Sequence, residues 1–257
     1  MNAQHYTPTE SLSSFVKTYL IIETKEEQVN RVFPDTSLVM AFRYKGHVSY
    51  LSNDSKNDLA PTVISGLRKS GRLINYSKDT ANLLVIFTEA GANAFIKEPI
   101  YELTETSISV KDLTNYKDTS YIEEQLEAAP DNARRIKIIE QFLLSKLSNH
   151  KADKLILAAL DRIHLTKGII RIKDLADALC ISQDAFEKRF RRVVGMTAKQ
   201  FSYIIRMRRI ISNGLKKQSL AEVAFNAGYF DQPHFNKDFK LFTGLTPTDF
   251  LKSPIFW

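Results

Sequence analysis

Between Ile172 and Phe250 the chain repeats itself, and this repeat limits what its second half can fold into. Leu175-Ala176-Asp177-Ala178-Leu179-Cys180-Ile181 aligns with Val223-Ala224-Phe225-Asn226-Ala227-Gly228-Tyr229 at an offset of 48 residues. Beyond that point the offset is 49. Phe186 then matches Phe235, Phe190 matches Phe239, Gly195-Met196-Thr197 matches Gly244-Leu245-Thr246, and Phe201 matches Phe250. One residue inserted near Phe230 accounts for the step. Each copy reads as two short helices, a tight turn and the start of a following helix, which is the shape of a helix-turn-helix unit.

The apolar spacing assigns faces to these helices. In the first copy Ile172 to Leu179 is the supporting helix, with Leu175 and Leu179 on one side and Ala176 small enough for close approach. Gly228 in the second copy sits where the chain turns between helices, and glycine accepts the left-handed conformation common there. Cys180 holds that place in the first copy and is expected to be a buried small residue. Ser182 caps the next helix, Gln183 to Val194. Phe186, Phe190 and Val193 or Val194 recur at helical spacing and face inward. That leaves Gln183, Asp184, Glu187, Lys188 and Arg191 outside. In the second copy Asp231 is the cap and Pro233 falls in the first turn, where a missing N–H costs little. Phe235, Phe239 and Phe242 pack inward, and Gln232, Asn236, Lys237 and Lys240 face out. Gln, Asn, Lys and Arg are the side chains that bond guanine and adenine edges in a major groove. The alternative for each helix alone is a solvated face.

Thr197 to Lys216 runs between the copies, and Thr197 with Gln200 makes a capping box. Phe201, Ile204, Ile205, Ile211 and Leu215 stripe one side. Arg206, Arg208 and Arg209, with Ser182 and Arg192, are placed as phosphate contacts. A helix of about 20 residues spans ~30 Å, close to the ~34 Å pitch of B-DNA, so it can act as a strut between two readers. Ser219 with Glu222 and Thr246 with Asp249 repeat the capping pattern.

Charge follows the same division. From Lys151 onward there are 19 Lys and Arg against 10 Asp and Glu, an excess of +9, whereas residues 1 to 150 carry −2. A basic half beside a near-neutral one is the footprint of a nucleic-acid module joined to something else; a solvated basic surface is the alternative. No apolar run approaches the ~20 residues that cross a membrane, and the first residues lack the pattern of a signal peptide. The single cysteine excludes an internal disulfide and a multi-cysteine zinc site and fits a reducing cytoplasm.

The first half reads as mainly β, giving an α+β chain overall. A short helix opens at Ser11 to Phe15, and Thr18 to Glu23 is extended. Leu38 to Tyr44 is a strand, Lys45-Gly46 reverses it, and His47 to Leu51 returns as its hairpin partner. Asn53 to Asp58 is a polar loop. Thr62 to Gly66, Arg72 to Tyr76 and Ala81 to Phe87 are further strands, at a spacing that suggests an antiparallel barrel or sandwich. Gly91 to Ile96 is helix-like and Pro99 ends it. Helical periodicity follows over Tyr121 to Ala128, Arg134 to Leu147 and Asp153 to Leu165. The break at Asn149-His150 divides a β-rich domain with helices, 1–148, from a helical domain, 149–257. The helices before the break pack on the β domain or form a dimer interface.

Chemistry-bearing constellations are thin. His5, His47, His150, His164 and His234 show no metal-ligand spacing. No Ser or Cys sits in a nucleophile motif, and Gly91-Ala92-Asn93 is not a phosphate cradle. His47 reads as a structural or surface histidine. Phe42, Tyr44, Tyr50 and Phe87 line the interior of the β domain; strand aromatics usually fill a core, and the alternative is a small barrel that holds one small ligand. Neither an enzyme nor a cofactor is expected.

Ala224-Phe225-Asn226-Ala227-Gly228-Tyr229-Phe230-Asp231-Gln232-Pro233-His234-Phe235, continuing through Phe239 to Thr243-Gly244-Leu245-Thr246-Pro247, closely resembles the signature of the AraC/XylS family of bacterial transcriptional regulators. Phe186-Glu187-Lys188-Arg189-Phe190-Arg191-Arg192 fits the same pattern in the first copy, and the likeness spans 153 to 251. Ala198 replaces the proline usual after Gly-Met-Thr, and Asp184 and Asp238 put acid where many members are neutral or basic. The first half resembles a cupin-like domain of uncertain role from one branch of the family, around Phe33-Pro34-Asp35 and Phe87 to Pro99. The resemblance implies a sequence-specific factor on double-stranded DNA, often an activator touching RNA polymerase. Its first domain would sense a small-molecule effector or form a homodimer, with no membrane involved. The rival reading is an enzyme or ligand-binding barrel merely tethered to DNA.

Overall fold

The computed structural model describes residues 1–52, 55–116, 119–148, 151–213, 215 and 219–252. Two compact units emerge: Met1–Asn30, Ser37–Leu67 and Leu73–Ala152 form one, while Arg31–Thr36, Arg68–Arg72 and Asp153–Trp257 form the other. Asn149 and His150, where the sequence suggests a break, lie outside the described residues, as does Lys216.

The first unit is built on strands β1 (Asn2–Tyr6), β2 (Val16–Glu23), β3 (Gln28–Val32), β4 (Val39–Lys45), β5 (Val48–Ser52), β6 (Ser55–Asp58), β7 (Thr62–Ser65), β8 (Arg72–Tyr76), β9 (Ala81–Phe87) and β10 (Ser107–Ser109). Short helix α1 (Glu10–Ser13) precedes β2, and α2 (Ser120–Ala128) and α3 (Asn132–Lys146) follow β10. The strands form two open sheets, in the orders β1-β2-β9-β4-β7-β10 and β3-β8-β5-β6. The sheets do not close into a barrel, so that half of the expected alternative is wrong.

The central strands of the six-stranded sheet, β2, β9, β4 and β7, bury residues on both faces. Tyr19 and Ile21 stand opposite Val85 and Leu83, and Met40 and Phe42 stand opposite the same two residues from the other side. This row lies under α3, where the Phe42 and Phe142 rings meet edge to face with centroids 5.7 Å apart. The alternate row includes Leu20, Ile22 and Leu84, which pack with Val48, Ile74 and Tyr76 of the four-stranded sheet. Glu140, buried on α3, accepts from the Thr9 backbone N–H at 2.8 Å and from the Tyr19 hydroxyl at 3.3 Å. Burial, aided by that carboxylate, raises the Tyr19 phenol far above its ordinary value.

Two local expectations fail here. β4 and β5 are not hairpin partners: β4 pairs with β7 and β9, and β5 with β6 and β8. Lys45-Gly46 therefore carries the chain from one sheet to the other. The rest of the supposed polar loop, Ser55–Asp58, is an exposed edge strand registered on β5 from Ser52↔Ser55 to Ser49↔Asp58; Asn53 and Asp54 lie outside the described residues. Polarity marks solvent exposure, and an edge strand is exposed as fully as a loop.

The second unit carries α4 (Lys154–Leu165), α5 (Ile172–Ala178), α6 (Gln183–Val194), α7 (Ala198–Asn213), α8 (Leu220–Asn226), α9 (Gln232–Thr243) and α10 (Pro247–Lys252). Each copy of the repeat becomes a helix pair, α5–α6 and α8–α9. Phe186, Phe190, Phe235, Phe239 and Phe242 are fully buried. The two aromatic pairs share one geometry: Phe186–Phe190 and Phe235–Phe239 each have centroids 5.6 Å apart and planes at 54°. Replacing Phe235 with Ala should cost ~3–5 kcal/mol through lost burial and the cavity left. Thermal unfolding followed by circular dichroism checks this, and a variant as stable as the parent would mean that Phe235 does not anchor α9.

Candidate nucleic-acid interface

The starts of α6 and α9 are fixed by their caps. Ser182 Oγ accepts from the Ala185 N–H at 3.4 Å, and Asp231 Oδ1 accepts from the His234 N–H at 2.8 Å. The turns before these caps are also alike: Cys180 and Gly228 both adopt left-handed backbone, with φ of 54° and 77°. Cys180 is nonetheless exposed, not buried as expected. The reason is visible at Gly228, where an added Cβ would meet nothing nearer than Ile169 Cγ2 at 3.7 Å. This turn position points its side chain outward. Left-handed backbone costs a non-glycine residue about 1–2 kcal/mol, so Cys180→Gly should raise stability modestly, and the native thiol should react freely with a disulfide reagent.

α7 connects the two helix pairs and touches both. Its start carries the reciprocal capping box: the Gln200 N–H donates to Thr197 Oγ1 and the Thr197 N–H to Gln200 Oε1, each at 3.2 Å. Phe201 packs edge to face on Phe190 of α6 at 5.6 Å and on His164 of α4 at 5.9 Å. Tyr203 packs on Phe242 of α9 at 5.8 Å and donates its hydroxyl to the Asp238 carbonyl at 2.8 Å. One turn on, the Arg206 guanidinium lies 4.9 Å above the Tyr229 ring. The Tyr229 hydroxyl donates to Asp238 Oδ2 at 3.0 Å, and the ring abuts His234 and Phe235. Burial pushes the Tyr229 phenol well above its ordinary value; Arg206 opposes this and Asp238 adds to it. The acid at 238 thus holds a tyrosine in place. α7 has 16 residues, about 24 Å, shorter than the ~20-residue strut expected from the sequence.

The outward faces are partly as expected. Gln183, Asp184, Lys188 and Arg191 on α6 are exposed, as are Lys237 and Lys240 on α9, while Gln232 is half-buried. Lys188 is held by Asp184 at 3.0 Å, with both side chains about four-fifths exposed; such a pair is worth little and exchanges readily. Two candidates differ. Glu187 is half-buried, and its Oε2 accepts from the Ala198 N–H at 3.2 Å, so it fastens α6 to the start of α7. Asn236 is half-buried, with Oδ1 shut from solvent and unbonded.

Among the phosphate candidates, Arg192 is exposed and Arg209 half-buried. Arg206 is drawn onto Tyr229 with its Nε buried and unbonded. Arg208 donates to Asp35 Oδ2 and to the Pro34 carbonyl, each at 3.1 Å, both from the short Arg31–Thr36 segment of the same unit. Free phosphate contacts were expected of Arg206 and Arg208; local acceptors and an aromatic face compete for them. Among the described residues, no group of three or more His, Cys, Asp or Glu could hold a metal ion, and no helix is long and apolar enough to cross a membrane.

Arg189 adds an ion pair the sequence did not single out. Its Nε donates to Asp153 Oδ2 at 2.6 Å, joining α6 to the cap of α4, where Asp153 Oδ1 also accepts from the Ile156 N–H at 3.2 Å. Burial alone would raise the Asp153 pKa, but the Arg189 and backbone bonds outweigh it and hold the carboxyl below its ordinary value. A depressed folded-state pKa stabilises above the ordinary carboxylate range and is lost as pH falls through it. Asp153→Asn, which keeps a capping side chain, should therefore lower Tm at neutral pH, with the gap to the parent closing in strong acid. A gap unchanged with pH would contradict the pairing.

Residues 175–253 match the helix-turn-helix domain family, and residues 4–109 match a domain of unknown function (DUF6597). The Msm operon regulatory protein of Streptococcus mutans is 31% identical over 121 residues, which cover 45% of this chain and 43% of that protein. The match thus spans less than half the length of that relative. ToxT from Vibrio cholerae O395 has a TM-score of 0.44 at 12% identity, covering 93% of this chain and 98% of that one. The C-terminal domain of AraT from Geobacillus stearothermophilus has a TM-score of 0.38 at 17% identity, covering 42% and 92%. Within the second unit, residues 175–253 thus form a helix-turn-helix domain.

Proposed function

We propose that this protein is a sequence-specific DNA-binding transcriptional regulator of the AraC/XylS type, with no enzymatic activity of its own. α6 and α9 enter two adjacent segments of the major groove. The supporting observation is the duplicated helix pair itself: two caps, two turns and two phenylalanine pairs of matching geometry, carried on one linking helix in the basic half of the chain. Gln183, Lys188, Arg191, Gln232, Lys237 and Lys240 discriminate bases, with Asp184 tuning Lys188 and Asn236 joining through its remaining amide capacity. Ser182, Arg192 and Arg209 hold phosphates; Arg206 and Arg208 contribute to position by bracing α7.

On this reading the chain divides its labour near residue 149. The β-rich part, 1–148, senses a small effector or assembles a homodimer, and 149–257 binds operator DNA and presents a surface to RNA polymerase in the cytoplasm. The Msm relative is named as an operon regulator, which agrees with that role.

Selection of bound sequences from a random pool tests the proposal. The parent should enrich a site with two patches about 10 base pairs apart. Lys188→Ala and Gln232→Ala should each relax preference within one patch, by ~1–3 kcal/mol at the affected base pair. Arg209→Ala should weaken operator and random DNA alike and reduce the salt slope by about one. Enrichment of no common sequence, or variants that keep every parental preference, would overturn the assignment.

A further inference from the structure

The residue inserted between the two copies is Phe230, and it is the most exposed large apolar side chain among the described residues, at 98%. In the first copy of the repeat Ile181 is followed directly by the cap Ser182, whereas in the second copy Tyr229 is followed by Phe230 and only then by the cap Asp231. The main chain on either side is fixed. Tyr229 is buried beneath Arg206 and bonded to Asp238, and Asp231 is bonded to the His234 N–H. A rigid stem therefore carries an uncovered aromatic ring immediately before the first turn of α9. In a docked helix-turn-helix unit, that end of the reading helix lies against base edges. Single exposed apolar residues are ordinary on protein surfaces; this one is set apart by its position.

We infer that Phe230 is a further specificity-determining residue, making apolar contact with the 5-methyl group of a thymine at the edge of the segment read by α9. The thymine methyl is the one apolar feature of the major-groove edge, and phenylalanine is among the side chains that recognise it. The first copy of the repeat has no counterpart at this position, so the preference belongs to the second patch alone. The inference rests on α9 being a groove reader.

The test uses the full chain and the site selected by the parent protein. Each thymine of the second patch is replaced in turn by uracil, which removes only the methyl group. At one thymine the parent should lose affinity by about tenfold, within the range of a good base contact. Phe230→Ala should start from about that reduced affinity and lose nothing more at the same base. Its Tm should equal the parent's, because the ring buries nothing, and its affinity for random DNA should be unchanged. If Phe230→Ala and the parent respond equally to every uracil, the contact does not exist. If the variant instead weakens operator and random DNA alike, or loses a parental dimer in sedimentation, Phe230 packs on backbone or on another copy and the inference is wrong. If the parent selects no site at all, the reading of α9 fails first, and the inference falls with it.

Discussion

The second unit depends on the double attachment of α7. Phe201 inserts between His164 and Phe190 at one end, while Tyr203 and Arg206 engage Phe242, Tyr229 and Asp238 on the other side. Apolar burial supplies most of the attraction, and aromatic edges add directional preference worth ~0.5–1.5 kcal/mol per pair. Hydrogen bonds then fix rotation: Thr197 with Gln200 and Glu187 at its start, and the Tyr203 hydroxyl on the Asp238 carbonyl further along. Two helix pairs attached to one short helix cannot be reoriented independently without exposing these rings.

The same local chemistry is used twice. A side-chain oxygen caps each of α6 and α9, a left-handed residue turns into it, and a glycine ends it with φ of 96° at Gly195 and 79° at Gly244. Between cap and glycine, phenylalanines four apart fall on one face and reach the same mutual geometry. The copies diverge where no such constraint acts. The first turn tolerates Cys180 because its side chain points to solvent, and the second accepts an extra residue because Tyr229 is anchored inward.

Much of this second unit was legible in the sequence because its signals are local. Caps, turn residues and helical periodicity act over four residues or fewer, and they placed α5, α6, α8 and α9 with their buried rings. Long-range competition was not legible. Arg206 and Arg208 read as free cations, yet their partners, Tyr229 and Asp35, are distant in sequence. Glu187 read as a reader and is diverted to the start of α7. In the β half, individual strands were legible from composition, but their pairing was not. Lys45-Gly46 looks like a hairpin turn, although Arg43 and Lys45 pair across to Asn82 and Ala81 of β9. β1, β3 and β10 were not read from the sequence, because short edge strands carry little apolar alternation.

The central claim is that the two helix pairs act as one rigid reader of two groove segments. Insertion of base pairs between the two patches of the selected site tests it most directly. The account predicts that insertions of five and of ten base pairs both reduce affinity to that of a single patch, since α7 cannot lengthen. Full affinity with the ten-base-pair insertion, which restores the helical face of the DNA, would show that the two helix pairs move independently and would contradict it.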